Sequence, residues 1–182
     1  MLPDAAPESS VAAANLLTAA DVASILREHA WLTAEPSAEQ LAWCERSAAL
    51  LGPHASGRAA LEGLLTLVFQ YDARAILGHV DSHVVLARYG ARDVLRHLAL
   101  LILESGPLDS DRFKEIVTAL KERLEVRGRE LFHPIRLALA GRDGGGELDR
   151  VILLLDGAAP LPFSVRVKGT RERILEFCAA LD

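Results

Sequence analysis

The chain has 182 residues, of which 51% are hydrophobic, 5% aromatic and 25% charged, and its formal net charge at pH 7 is −5. This length suits one sizeable hydrophobic core or two small ones, and a composition dominated by Ala and Leu favours helices over strands. The net negative charge argues against a general nucleic-acid-binding protein, because affinity for phosphates grows with the number of cations brought to them.

The sequence predicts no membrane span, no secretory signal and no disulfide. No apolar, uncharged run reaches the length of about eighteen residues that a transmembrane helix needs, so we expect no membrane span. The segment Met1–Asn15 has no basic start and contains Asp4 and Glu8, which is unlike a secretory signal. We therefore expect a cytoplasmic protein in which Cys44 and Cys178 are reduced, separate and buried.

The first half of the chain predicts a mobile tail over residues 1–17 followed by short helices. Two capping boxes, Thr18 with Asp21 and Ser37 with Gln40, mark the beginnings of the first two helices. The boundaries of the others follow from apolar residues at helical spacing and from Gly or Pro at the ends. The predicted helices of this half cover residues 18–29, 37–52, 57–69, 73–78, 82–89 and 93–104.

The second half predicts four more helices and one extended segment. Asp109 caps the clearest amphipathic helix of the protein, which runs to about Leu124. A short, mostly buried helix is expected to begin at Pro134 and to end at Gly141, since proline suits the first helical position and glycine the residue past the end. The remaining predicted elements are a glycine-rich connector over 141–146, a helix over 147–155, an extended segment over 160–168 and a last helix capped by Thr170. The sequence thus predicts an all-α fold: one helical domain over 18–182, or two subdomains over 18–106 and 107–182.

The patterns that would indicate an enzyme or a metal site are incomplete. His79 and His83 are four residues apart, but zinc needs a third or fourth ligand, so we expect ordinary polar histidines and no metal. Cys44 and Cys178 fall on apolar helix faces, and no serine lies in a nucleophile elbow. The glycines of 141–146 lack the Walker lysine and the Rossmann spacing. We expect neither a catalytic residue nor a cofactor.

Positive charge is concentrated in one stretch of this acidic protein. Residues 1–50 have a net charge of −5, whereas residues 121–142 have a net charge of +3. The cations of that stretch are Lys121, Arg123, Arg127, Arg129, Arg136 and Arg142. Arg136 lies in an otherwise apolar run, which leaves two interpretations open. It pairs with a carboxylate such as Glu130 or Glu147, or its forked guanidinium donates to a phosphate or a base edge.

Several of these segments, taken in order, resemble the C-terminal anticodon-binding domain of bacterial glutamyl-tRNA synthetases. They are Tyr71-Asp72, the helix over 109–124, the run Val126–Arg142 with Leu-Phe-His-Pro-Ile-Arg at its centre, the Gly146-Glu147-Leu148 restart and the Leu153–Gly157 stop. The resemblance extends over about residues 41–157 and implies an all-α helical cage that meets the anticodon end of tRNA. It places Arg136 on the family's Pro-Leu-Arg arginine, and Arg127, Arg129 and Arg142 on the basic turn and helix exit.

The chain also departs from that family, and the departures shape the expected function. It shows neither the His-Ile-Gly-His-type segment nor the mobile lysine-rich loop of the synthetases' catalytic domain, and Ala140 replaces a usual threonine. We therefore expect a non-catalytic, tRNA-binding protein. The expected RNA-binding residues are Arg136, Arg127, Arg129, Arg142, Lys121 and His133. The alternative is a helical protein-interaction or regulatory module that has lost RNA binding and docks a synthetase or another protein.

Overall fold

The protein is described by a computed structural model that covers residues 16–182. Within that range it contains ten α-helices, one 3-10 turn over Gly52–His54 and no β-strand, so the predicted all-α fold is confirmed. The mobile tail predicted for residues 1–17 lies, up to residue 15, outside the described residues. The helices are α1 (Ala19–Glu28), α2 (Ala38–Leu51), α3 (Arg58–Phe69), α4 (Ala73–Leu77), α5 (Val80–Leu86), α6 (Ala91–Leu103), α7 (Ser110–Leu124), α8 (Arg129–Ala140), α9 (Gly146–Ala158) and α10 (Thr170–Leu181).

Local polar caps begin α1, α2 and α7 where the sequence predicted them, whereas the helix predicted over 82–89 covers Val80–Leu86 instead. The Thr18 side chain accepts a bond from the backbone of Asp21, which returns one to the backbone of Thr18 at 2.7 Å. Ser37 and Gln40 exchange the equivalent bonds at 3.1 and 2.9 Å. Asp109 accepts from the first turn of α7 at 2.8 Å. Each cap provides an acceptor for an N–H group that has no partner inside its own helix. The starts of α1, α2 and α7 could therefore be predicted from the sequence alone.

Helix α9 lies at the centre of the hydrophobic core. Its residues 151–155 are all buried, and it contacts α2, α3, α8 and α10. One continuous apolar cluster includes residues from both sides of residue 106. The division of the chain into two helical subdomains is not tested by this packing and stays a prediction.

The segment over 160–168, predicted to be extended, forms no strand and bends at 161, 164 and 165, and it is anchored by aromatic side chains. Phe163 meets the rings of Trp43 and Phe69 edge-on, with centroids 5.4 and 5.1 Å away. The backbone N–H of Ser164 donates to the carbonyl of Trp31 at 2.8 Å. These contacts fix the segment against α2 and α3 although it forms no sheet within the described residues.

Helix α8 begins at Arg129, five residues before the predicted start, so the prediction that Pro134 is its first residue is wrong. Gly128, at φ 56°, turns the chain into the helix, and its carbonyl accepts from the N–H of Phe132 at 2.9 Å. Pro134 lacks the N–H that would bond the carbonyl four residues earlier. Burial of Leu131 and Ile135 on either side of it compensates for that loss, so tertiary packing overrides the local preference.

Helix α9 continues to Ala158, beyond the predicted end at Leu155 and through the predicted stop at Gly157. This extension brings Asp156 to the start of α10, where its carboxylate accepts from the N–H and the hydroxyl of Thr170, both at 2.7 Å. The same carboxylate accepts from the N–H of Leu108 at 2.7 Å. Thr170 is therefore the first residue of α10 and not its cap, which corrects the prediction.

The largest fully buried side chain of the described region is that of Arg173, in α10. Its guanidinium donates to the carbonyls of Leu67 and Val68 at 2.9 and 2.6 Å and to that of Leu139 at 2.9 Å. Its Nε donates to the carbonyl of Lys168 at 2.9 Å, and the ring of Tyr71 lies 4.5 Å away. Burial lowers the pKa of Arg173 to about 10, so the group stays charged at neutral pH.

Removing the Asp156 carboxylate is expected to destabilise the fold. The Asp156→Ala substitution leaves three donors at two helix starts without their acceptor, and we expect the free energy of unfolding in urea to fall by about 3 kcal/mol. Gly169→Ala is expected to be destabilising as well, since a Cβ there would lie 2.7 Å from Oδ1 of Asp156. Asp111→Ala, at a largely exposed carboxylate of α7, is the matched control and should change stability by less than about 0.5 kcal/mol. Equal stabilities for the Asp156 and Asp111 variants would contradict the assigned role.

Candidate nucleic-acid interface

The outward side of α8 carries three of the six residues predicted to bind RNA. Arg129, Phe132, His133 and Arg136 are spaced i, i+3, i+4 and i+7, which places them on one helical face, here called the α8 face. The remaining residues of the helix, apart from Glu130, are buried in the core. The α8 face is therefore the only side of this helix that is available to a partner.

Arg136 has its acidic partner inside the protein. Its Nε and one terminal nitrogen donate to the two carboxylate oxygens of Asp149 at 2.8 and 2.9 Å, and the other terminal nitrogen donates to the carbonyl of Gly144 at 2.6 Å. The predicted partners, Glu130 and Glu147, are wrong: Glu130 is exposed, and Glu147 accepts from the N–H of Gly145 at 3.1 Å. Asp149 was missed because the turn that brings α9 back along α8 is not visible in the sequence.

Phe132 lies between two cations. The guanidinium of Arg136 lies 4.8 Å from the centre of its ring, and the ammonium of Lys121, from α7, lies 5.6 Å from it. Both distances fall in the range of cation–π attraction. Lys121 therefore lies beside the α8 face, on a neighbouring helix.

His133 accepts a hydrogen bond from Arg88, which was not among the predicted site residues. Arg88, in the turn after α5, donates to Nδ1 of His133 at 2.8 Å, so that nitrogen is an acceptor and the imidazole is neutral. Burial and the neighbouring Arg88 cation lower the pKa of His133, while Asp143, 3.7 Å from Nδ1, acts in the opposite direction. The α8 face thus includes a histidine that resists protonation.

Three of the predicted cations stand free of protein partners. Arg127, Arg129 and Arg142 are exposed, and within residues 16–182 none of them makes a hydrogen bond or an ion pair with another residue. Arg127 precedes α8 and Arg142 follows it, so the three guanidinium groups come from the two ends of one helix. Arg142 also lines a cleft of about 370 Å³ that is open to His79 and Asp81 of the α4–α5 region. Such unpaired cations are what phosphate contacts need.

The described residues offer little support for other chemistry. In residues 16–182 no group of three or more His, Cys, Asp and Glu side chains could hold a metal ion, and no helix is long and apolar enough to cross a membrane. Cys44 is buried and Cys178 half-buried, and neither forms a disulfide. Burial raises the pKa of Cys44 to about 11, which keeps it a thiol at neutral pH and a poor nucleophile.

Comparisons with known proteins find one family model and several related sequences. A family model described as "Anticodon binding domain" matches residues 21–158. Glutamate–tRNA ligase 2 of Syntrophus aciditrophicus is 30% identical over 113 residues, which cover 62% of this chain and 23% of the ligase. Glutamate–tRNA ligase of Geobacillus thermodenitrificans is 31% identical over 124 residues, or 68% of this chain and 25% of the ligase.

A shorter alignment shows a higher sequence identity. Glutamate–tRNA ligase 1 of Halorhodospira halophila is 50% identical over 46 residues, which are 25% of this chain and 10% of that protein. The chain thus spans about a quarter or less of the length of these curated relatives. No solved structure matches it with significance.

The Arg136–Asp149 pair is expected to stabilise the junction of α8 and α9. The side chains are only 12% and 21% exposed, so removing either partner leaves a poorly hydrated charge without its counterpart. We expect Arg136→Ala and Asp149→Ala each to lower the free energy of unfolding by about 2 kcal/mol, and the double variant to lose less than the sum, with a coupling energy of about 1–3 kcal/mol. Urea denaturation of the four proteins measures this coupling, and strictly additive losses would argue against the pair.

The titration of His133 is expected to depend on Arg88. Because the pKa of folded His133 lies below the ordinary value of 6.5, the unfolded chain binds the proton more readily. The contribution of this site to stability is complete above about pH 6.5 and is lost as the pH falls through the pKa of the folded imidazole. Arg88→Gln removes the neighbouring charge and should raise the pKa of His133 in an NMR titration. Arg92→Gln, which makes no contact with His133, is the control and should leave it unchanged.

Proposed function

Because the chain belongs to the anticodon-binding domain family, we propose that it binds tRNA at the anticodon region through the α8 face and its flanking cations, without catalysing aminoacylation. The flanking cations are Lys121, Arg127 and Arg142. The observation that carries the proposal is that Arg127, Arg129 and Arg142 are exposed and unpaired in a protein whose net charge is −5. Arg136, which is mostly buried, is by contrast paired with Asp149.

The arrangement suits a single-stranded loop better than a continuous duplex. Cations at both ends of α8 can contact phosphates on either side of a loop, while Phe132 and the polar groups between them meet the bases. Two N–H groups of Arg136 are not used by Asp149 or Gly144, and we assign them to a phosphate or a base edge. His133 contributes its remaining ring N–H in the neutral form. Arg136 is thus held in place by Asp149 before the RNA arrives.

The non-catalytic part of the proposal rests on what the matched region does in a larger protein. The relatives that share it are named glutamate–tRNA ligases, and the match covers only a part of each that corresponds to the anticodon-binding domain. Burial raises the pKa of both cysteines, Cys44 and Cys178, so neither thiol is an activated nucleophile. We therefore assign recognition and not chemistry to this chain, and place its action in the cytoplasm.

A protein partner is the second candidate function, and exposed apolar side chains favour it. Val80 and Val84 lie four residues apart on α5 and are 77% and 54% exposed. A synthetase or another protein could dock on these side chains while the α8 face stays free. The two functions are distinguished by whether tRNA binding requires the cations.

Binding of bacterial tRNA measured over a salt series tests the proposal. Log affinity should fall linearly with log salt concentration, because cations that contact phosphates release counterions. Replacing Arg127, Arg129 and Arg142 together by Gln should weaken binding and flatten the slope by roughly 2, given about 0.7 per contact on a single strand.

The matched control replaces Arg46, Arg74 and Lys114 by Gln, which changes the net charge equally at exposed positions away from α8. It should leave the slope nearly unchanged. Equal effects of the two triple variants would mean that only net charge matters. Absence of tRNA binding at low salt by the folded wild type would reject the RNA function and favour the protein partner.

A further inference from the structure

Tyr89 is the one aromatic side chain of this protein that stands in solvent. The chain has two Trp, two Tyr and five Phe residues, all of them within the described region. The other eight are buried or half-buried, most of them in the core, whereas Tyr89 is 94% exposed. A large ring left in water contributes nothing to the packing of the core, so its apolar faces are free to meet a partner.

The backbone around Tyr89 is ordered without help from the side chain. The N–H of Arg88 donates to the carbonyl of Val85 at 3.2 Å, and the N–H of Ala91 donates to the carbonyl of Arg88 at 3.2 Å. Gly90 follows at φ 78°, a left-handed conformation that suits glycine, and precedes the first residue of α6. The turn between α5 and α6 therefore fixes the backbone position from which the side chain extends, and within residues 16–182 the ring makes no hydrogen bond or ring contact.

The turn that carries Tyr89 lies against the RNA-binding surface proposed above. On one side of Tyr89, Arg88 donates to His133 of the α8 face. On the other side, a Cβ added at Gly90 would come within 3.6 Å of the Val126 side chain, and Arg127 is the next residue. Tyr89 thus lies in the chain between two residues that adjoin the α8 region, one near the middle of the helix and one just before its start.

We propose that Tyr89 is a stacking platform for an unpaired base of the RNA that binds the α8 face. This inference rests on the proposed function and adds to it a residue that neither the sequence nor the resemblance singled out. Stacking on an aromatic ring contributes about 1–3 kcal/mol per base and tolerates any base, because every base has a π-face. The exposed position suits a side chain that meets its partner only in the complex.

The immediate surroundings favour RNA over a protein as the partner of this ring. Tyr89 is preceded by Arg88 and followed by the exposed Arg92, so a base that stacks there has cations near its phosphates. The exposed valines Val80 and Val84 lie on α5, which ends at Leu86, three residues before Tyr89.

The test compares an anticodon stem–loop of glutamate tRNA with a fully paired RNA duplex of the same number of nucleotides. Tyr89→Ala should weaken binding of the stem–loop by about 5- to 150-fold, the factor that corresponds to about 1–3 kcal/mol, without changing the salt slope, because no charge is lost. It should leave binding of the duplex unchanged, and Tyr89→Phe should bind the stem–loop like the wild type. Tyr89→Trp should bind as well, with its fluorescence quenched by the stacked base, since the native Trp31 and Trp43 are buried.

Leu100→Ala is the matched control, since Leu100 is another large apolar side chain that is 54% exposed. It should have no effect on either RNA. If Tyr89→Ala binds the stem–loop like the wild type while the triple arginine variant is impaired, the stacking inference fails and the proposed function stands. An equal loss for stem–loop and duplex would also overturn stacking on an unpaired base. If the wild type binds neither RNA, both proposals fail together.

Discussion

The arrangement of the helices depends on the hydrogen bonds of the buried Arg173 guanidinium. Among residues 16–182 it has no carboxylate within hydrogen-bond distance, and its hydrogen bonds go to carbonyl oxygens: two in the last turn of α3, one in the last turn of α8 and one in the segment over 160–168. The C-terminal ends of helices carry partial negative charge and carbonyls without intrahelical partners. The Arg173 cation therefore offsets this partial charge and donates to these carbonyls, and it joins three elements that are distant in sequence. The face of Tyr71 covers the same cation at 4.5 Å, and its hydroxyl donates to the carbonyl of Ala138 at 2.6 Å.

The hydrogen bonds of Arg173 and Tyr71 also fix the helix that carries the α8 face. Because Arg173 and Tyr71 fix the C-terminal end of α8, and Gly128 with Phe132 begins its first turn, both ends of the helix are held. Asp149 then orients Arg136, and Arg88 orients His133. The polar groups of the α8 face are ordered before any ligand binds, so little conformational entropy is lost on association. The exposed cations at its ends keep the freedom to adjust to a backbone of phosphates.

The contrast between local and distant interactions explains what the sequence could predict. The capping boxes at Thr18 and Ser37 and the all-α fold follow from neighbours a few residues apart, and they were predicted. The partners of Arg136, His133 and Thr170 lie on other elements: Asp149, Arg88 and Asp156. No spacing rule identifies such partners. Pro134 misled the prediction for the same reason, since burial on both sides of it outweighed its local preference. The family resemblance located the cations but could not say that Arg136 is paired and Arg129 is free.

The separation of charge on this protein favours oriented binding over strong binding. A net charge of −5 repels a nucleic acid at a distance, and the exposed cations of the α8 region attract it only where they are concentrated. Since a few phosphate contacts give modest affinity, discrimination has to come from neutral contacts that do not weaken with salt. In the proposed complex, Phe132 and Tyr89 would make these contacts. Stacking at one edge and cations at both ends of one helix would thus select a loop with unpaired bases from the much larger population of duplex RNA.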